Sequence, residues 1–229
     1  MTEPIKVDIW SDIVCPWCYI GKRKFEAGST AFTAAGEDRD VVVEYHSYEL
    51  SPDTPVDFEG SAVDYLVQRK GVQPAQVGQM LERVTGIAAS VGLEYDYDAL
   101  QHTNTVKAHQ LLHYAKSHGK QLEMKERLFK ALFTEGRHIG RVHDLADLAA
   151  EVGLDRAEVV RVLEADEFLG DVRADQSLAM EYGIQGVPFF VIDGKYGVSG
   201  AQEPAAFAQV LEQVWTERDA QAELEEASA

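Results

Sequence analysis

Ile5-Lys6-Val7-Asp8-Ile9-Trp10, continuing through Ser11-Asp12-Ile13-Val14 into Cys15-Pro16-Trp17-Cys18-Tyr19-Ile20-Gly21, is the stretch that decides the fold. Ile5, Val7 and Ile9 alternate with Lys6, Asp8 and Trp10, the period of two that puts successive side chains on opposite faces of a strand. Pro16 then suits the first turn of a helix, where its missing N–H costs no hydrogen bond, and the helix is expected to reach about Ala34. Val41-Val42-Val43-Glu44-Tyr45 is a second strand, rich in β-branched residues. The opening is therefore β–α–β, and the two cysteines sit where the first strand hands over to the helix.

Outward from there, the chain between about Val63 and Gly183 reads as helical. Ala108, Leu111, Leu112 and Ala115, and again Leu145, Leu148, Ala149 and Val152, recur at the spacing of one helix face. Asp155 followed by Glu158 has the form of a capped start, and Gly119, Gly136 and Gly153 that of helix stops. Strand signals return in Phe189-Phe190-Val191-Ile192. Asp193-Gly194 is a two-residue hairpin turn, Lys195 to Val198 pairs back, and a last helix is expected from about Pro204 to Trp215. Removal of the helical block leaves the thioredoxin order of elements. The expected architecture is an α/β thioredoxin fold with a large all-helical insertion between the second and third strands. Residues 1–55 and 184–217 form the thioredoxin-like part, 56–183 the insertion and 218–229 an acidic tail that is either a frayed helix end or disordered.

The chain has 229 residues, enough for roughly 70% of the unfolded surface to be buried, so folding does not require a disulfide staple. Its formal net charge of −18 repels phosphate backbones and anionic bilayers, which argues against nucleic acid and membrane surfaces as partners. Met1 to Lys6 lack the basic segment and apolar run of a secretory signal, and the cytoplasm is the expected compartment.

The only two cysteines are separated by two residues at a helix start. A dithiol catalyst needs an accessible thiolate and a second thiol close enough to resolve the mixed disulfide. Exposed N–H groups and the helix dipole stabilise a thiolate at the cap, which points to Cys15 as nucleophile and Cys18 as resolving thiol. Trp17 brings no cation, so this stabilisation rests on the helix end. A Cys-x-x-Cys pair is also half of a zinc site, for which His109 and His113, four residues apart, are the available partners. Two inert cysteines are the third reading. Gly186-Val187-Pro188-Phe189 places a proline at the entrance of a buried strand, either an ordinary turn proline or one after a cis Val187–Pro188 bond; in a thioredoxin fold this loop is expected to bring the Val187 backbone to face the cysteines. Pro16 and Trp17 complete the expected substrate-binding set. Asp12 either relays a proton or caps the loop before the helix. Trp10 belongs either to an apolar rim with Trp17 or to the core.

Five segments together resemble the DsbA-like family, and within it the cytosolic FrnE-type branch, over nearly the whole chain. They are Asp12 to Gly21, Tyr48-Glu49-Leu50-Ser51-Pro52, Asn104 to Leu111 with its Asn-Thr and Ala-His pairs, Gly186 to Phe190, and Gly200-Ala201-Gln202. The resemblance implies a thiol–disulfide oxidoreductase or isomerase working through Cys15 and Cys18. It implies no bound cofactor or metal, glutathione as redox partner, thiol or disulfide proteins or small molecules as substrates, and a monomer or homodimer. The same superfamily holds kappa-class glutathione transferases and 2-hydroxychromene-2-carboxylate isomerases, which typically have serine where Cys15 stands. Two alternatives therefore stay open beside disulfide exchange. One is a glutathione-dependent transferase or isomerase of a small aromatic compound, and the other is a non-catalytic redox-sensing binding protein.

Overall fold

The computed structural model describes residues 3–36 and 39–227. Met1 and Thr2 of the leader reading, and Ser228 and Ala229 of the tail, lie outside them. A four-stranded sheet is built from β1 (Ile5–Ser11), β2 (Val41–Ser47), β3 (Phe189–Ile192) and β4 (Tyr196–Ser199), in the order β2-β1-β3-β4. β1 pairs with β2 in parallel through the crossover helix α1 (Pro16–Thr33), and with β3 antiparallel, so that Ile9 faces both Tyr45 and Phe190. The Asp193-Gly194 turn joins β3 to β4 with both residues at positive φ, 57° and 64°, as a tight hairpin turn of this hand requires. Seven helices fill the space between β2 and β3. They are α2 (Ala62–Lys70), α3 (Pro74–Ser90), α4 (Val106–Ser117), α5 (Gln121–Phe133), α6 (Val142–Glu151), α7 (Arg156–Glu164) and α8 (Leu169–Glu181). This is the thioredoxin arrangement with the helical insertion expected from sequence. Asp155 accepts from the Glu158 N–H, the capped start that its spacing implied.

One sheet face is covered by α1 and the last helix, α9 (Pro204–Ala227): Ile5, Val7 and Ile9 meet Phe25, Phe32, Phe207 and Leu211 there. On the other face Trp10 and Val191 pack against Ala179 of α8 and against Ile184. Trp10 is thus core rather than rim, with its indole N–H donated to the Asp175 carbonyl at 3.0 Å. The core of the insertion is continuous with Cys15, Cys18, Tyr19 and Ile20. The cysteine motif therefore belongs to the packing of both parts.

α9 extends well past the end expected at Trp215. Arg218 pairs with Asp193 and donates to the Glu3 carbonyl at 2.6 Å, and Glu217 accepts from Lys195 and Tyr196, which fastens this turn to the hairpin. Beyond it, the run of Ala, Glu and Gln consists of strong helix formers.

α1 and α9 approach so closely that a Cβ on Gly28 would lie 2.5 Å from the Pro204 carbonyl oxygen and 2.9 Å from the Phe207 Cβ. Gly28→Ala is expected to lower stability by about 2 kcal/mol, since the helices must part to admit the methyl group and the obstructing atom is backbone. Urea unfolding should show the midpoint falling at unchanged slope; an unshifted midpoint would mean that α9 slides aside freely.

Candidate active site

β1 ends at Ser11, and a short turn returns the chain so that Cys15 becomes the residue capping α1. Its backbone is extended (φ −87°, ψ 111°), Pro16 takes the first helical position, and the Cys18 N–H donates to the Cys15 carbonyl at 3.0 Å. Both cysteines are free thiols. Cys15 is 5% exposed and lines a cavity of about 350 Å³; Cys18 is 2% exposed, lies one turn deeper and does not line it.

The Val187–Pro188 bond is cis, and the Cys15 thiol faces the Val187 carbonyl, with Sγ 3.6 Å from the oxygen. Gly21 makes this approach possible, because a Cβ there would come within 3.0 Å of the Pro188 ring. Pro16 and Trp17 share the cavity wall with Cys15, and Trp17 is 39% exposed at its edge. Val187 and Pro188 stand at the sulfur itself and do not line that cavity. The expected substrate-binding residues thus divide into Pro16 and Trp17 in the cavity wall and Val187, followed by Pro188, beside the sulfur.

The remaining cavity walls come from segments far away in sequence. Leu50, Tyr65, Leu81, Val84, Leu100 and Phe133 make it predominantly apolar. Tyr95 donates its hydroxyl to the Pro16 carbonyl at 2.8 Å, tying the segment after α3 to the first turn of α1. His102 also lines the cavity. Its ring stacks on Tyr65 with centroids 3.3 Å apart, its Nε2 is buried without a hydrogen-bond partner, and burial pulls it down to about 4, so it is neutral.

The cysteines ionise as a pair. The hydrogen bond between the sulfurs, burial and the charge of Cys18 push the Cys15 thiol up. Burial opposes ionisation of Cys18 too, but the Cys15 thiol, the ammonium of Lys125 and the Ser11 hydroxyl outweigh it and hold Cys18 down. The two sulfurs thus share their protons unequally, with Cys15 the one pushed up and Cys18 the one held down. The helix-end stabilisation expected for Cys15 is overridden here because burial withdraws its sulfur from water while Cys18 lies beside it.

Asp12 is fully buried, and neither of its oxygens is hydrogen-bonded to a sulfur among the described residues. Oδ2 accepts from the Leu50 N–H at 2.8 Å, and Oδ1 lies 3.3 Å from His109 Nε2. Burial favours its neutral form, but these partners and Thr105 keep it ionised, below the usual carboxylate range. Its side chain pins the segment after β2 rather than the helix start. His113 points instead to Asp175 at 3.0 Å and to the Ser47 hydroxyl at 3.1 Å. The two histidines therefore do not converge on the cysteines as a zinc site would need. Among the described residues, the ligand atoms that do cluster, on Asp8, Glu44 and His46, include no sulfur and already meet the cations of Lys6 and Lys116.

Lys125 escaped the sequence reading, although it stands on the apolar stripe of α5 between Met124 and Leu128, where a charge is out of place. The cavity walls gave no comparable signal, since nothing local in α2 or α3 distinguishes a residue facing Cys15 from one facing the core.

Residues 6–212 match the family described as DSBA-like thioredoxin domain. The chain is similar to a probable DsbA oxidoreductase of Streptomyces coelicolor, at 37% identity and a TM-score of 0.85 over 93% of this chain and 91% of that one. It is 32% identical to the uncharacterized protein YwbO of Bacillus subtilis (strain 168), across 92% of this chain and 96% of that protein. In fold it is also similar to the cytosolic disulfide reductase DsbM of Pseudomonas aeruginosa, solved with GSH, at 18% identity and a TM-score of 0.63 over 92% of this chain and 99% of that one. No helix among the described residues is long and apolar enough to cross a membrane. With the family matched over nearly its whole length, the chain belongs to the DSBA-like thioredoxin domain family.

Proposed function

We propose that the protein exchanges disulfides through Cys15 and Cys18, with Cys15 as nucleophile and Cys18 as resolving thiol. Family membership supports thiol–disulfide oxidoreduction as the general class of chemistry. The observation that carries the assignment of roles is the difference in access: Cys15 faces the cavity and the Val187 carbonyl, while Cys18 is closed off behind it. A proton moving between the sulfurs frees the Cys15 thiolate to attack a substrate disulfide. The Cys15–substrate bond forms as one substrate thiolate leaves. Cys18 then attacks the Cys15 sulfur and expels the second. Run in reverse, the same steps oxidise a dithiol, and the direction follows the potential of the pair against its compartment. In the cytoplasm, the compartment expected from the sequence, the pair works as a reductase or isomerase with glutathione as electron donor. The Val187 carbonyl suits an extended substrate backbone lying across Cys15. Asp12 serves this cycle by fixing the Leu50 segment at the cavity edge rather than by relaying a proton.

The test is the fraction of Cys15–Cys18 disulfide across glutathione redox buffers, read by thiol trapping and mass. A reversible two-electron transition is expected; thiols that stay reduced throughout would end the proposal.

The apolar cavity beside Cys15 favours one second reading, a glutathione-dependent transferase or isomerase acting on a small aromatic compound. That reading requires saturable glutathione binding and activity that survives Cys18→Ser, whereas multiple-turnover exchange through the pair does not survive it.

A further inference from the structure

Lys125 lies one helical turn after Gln121, whose side-chain amide clamps the Tyr45 backbone of β2 by accepting from its N–H at 2.9 Å and donating to its carbonyl at 2.8 Å. The next residue, Glu126, receives Tyr19, Lys22 and Arg23 from α1, with Lys22 at 2.6 Å. α5 is thus fastened to β2 on one side and, on the other, to the turn of α1 that begins at Cys18. Lys125 is held between them. Its side chain is fully buried, and its Nζ has no hydrogen-bond partner. The Nζ rests 5.2 Å from the Tyr45 ring centroid and 4.8 Å from that of Phe129.

A buried ammonium is costly unless its charge is met, and two aromatic faces compensate only part of the lost hydration. The nearby carboxylates are committed elsewhere, Asp12 to Leu50 and His109, and Glu126 to α1. Burial pulls the Lys125 ammonium down to about 8; Cys18 opposes this most strongly, followed by Asp12 and Cys15, and Lys22 adds a smaller repulsion. Methionine or leucine would satisfy the packing at this position without any of that cost. What lysine adds is a positive charge in the field of the resolving sulfur.

We propose that Lys125 is the buried counter-charge of Cys18, a positioning residue whose ammonium keeps that sulfur ionised for the resolving step. The inference rests on the disulfide-exchange reading and deepens it. In the mixed disulfide, Cys18 has lost the hydrogen bond from the Cys15 thiol, and Lys125 is the cation that remains to stabilise its thiolate. The Cys18 thiolate attacks the Cys15 sulfur, the Cys15–Cys18 bond forms, and the bond from Cys15 to the substrate sulfur breaks. The substrate thiolate leaves with the electron pair and takes a proton from water. The site's negative charge departs with it, and Lys125 then holds its proton less tightly. The titratable groups facing this site are Cys15, Cys18 and Lys22 from α1, Asp12 with its partner His109, and Tyr45 from β2.

Lys125→Met keeps the aliphatic volume and removes the charge, so a merely structural lysine would leave the thiols unchanged. Two readouts follow on the reduced full-length protein. The ultraviolet absorbance of the first thiolate should titrate about tenfold higher in proton affinity, one pH unit up, in the variant. In rapid mixing with dithionitrobenzoate near neutral pH, release of the second aryl thiolate should slow at least tenfold relative to release of the first, and recover as pH rises. Equal titration and an equal ratio of the two releases in both proteins would overturn the proposal. A wild-type protein that releases no second aryl thiolate would overturn the exchange reading instead, while the thiolate titration would still decide the role of Lys125. Should Lys125→Met not fold, lysine side-chain NMR of the wild type provides the same test. The lowest-titrating lysine should move up on reduction of the cysteine pair, and identical midpoints in the two redox states would refute the proposal.

Discussion

Cys15→Ser should lower turnover of a model disulfide by about 10³-fold or more, while Cys18→Ser should allow one attack and then stall as a stable adduct on Cys15. The asymmetry follows from access. Cys15 is the sulfur that faces the cavity, so its loss leaves incoming disulfides with only a sulfur sealed behind the first turn of α1. Serine is close to cysteine in size, but its hydroxyl does not ionise near neutrality, so the steric environment is nearly preserved while the nucleophile is lost. Cys18→Ser removes the resolving thiol and also the partner that pushes Cys15 up, so the first attack should remain possible and should persist to lower pH than in the wild type. Intact-protein mass after brief exposure to glutathione disulfide separates the cases. Cys18→Ser should gain one glutathione mass, Cys15→Ser none, and the wild type should lose the mass of two hydrogens as its internal disulfide forms and two glutathione thiols are released. An adduct on Cys15→Ser would reverse the assignment of nucleophile and resolving thiol.

The ease with which these elements could be read from sequence depends on how local their causes are. β1, β2 and the β3–β4 hairpin announce themselves because a strand's alternation and an Asp193-Gly194 turn are complete within a few residues. The cysteine pair and the proline of the β3 loop are legible for the same reason, each being a short motif with a backbone requirement of its own. The environment of the cysteines is not local. The cavity wall is assembled from α2, α3 and the segment around Leu100 and His102, and which of their faces meets Cys15 depends on how the insertion folds back. Electrostatics is less local still, since the ionisation of Cys18 depends on Lys125, more than a hundred residues away and on another helix. The end of α9 is hard to place from sequence for a related reason. An acidic run reads as a solvated tail until Arg218 and Glu217 are seen tied to the hairpin.

The insertion is bolted to the sheet by a buried ionic network, and removing one of its members should cost more stability than the loss of most single core contacts. His46 of β2 lies 2.7 Å from Asp8 through Nε2 and 2.7 Å from Asp175 of α8 through Nδ1; the Asp175 carboxylate also accepts from the Ser47 N–H at 2.7 Å. Trp10 covers the ring, stacked at 4.5 Å, and donates to the Asp175 carbonyl. Burial opposes the charge on His46, but the two carboxylates outweigh it and raise the imidazolium to about 9. Burial likewise opposes the charge on Asp175, yet His113, His46 and Ser47 hold it well below the usual carboxylate range. Asp175→Asn should therefore cost about 3–5 kcal/mol at neutral pH, because it strips one counter-charge from a buried cation. The signs of the pH dependence are opposite for the two groups. The contribution of Asp175 is present above the unfolded carboxylate range and is lost as pH falls through its depressed folded value. That of His46 is present below its unfolded value near 6.5 and is lost as pH rises through about 9, amounting to about 3 kcal/mol. Lys125 works against this loss in the wild type, since its depressed ammonium makes the folded state more favourable as pH rises above about 8. The quantity to measure is thus a difference. Urea unfolding of wild type and His46→Gln at pH values below 6.5 and above 9 should show the gap between them closing by about 3 kcal/mol. A gap that stays constant across that interval would mean that folding leaves the proton affinity of His46 unchanged, so that the two carboxylates do not hold it as a cation.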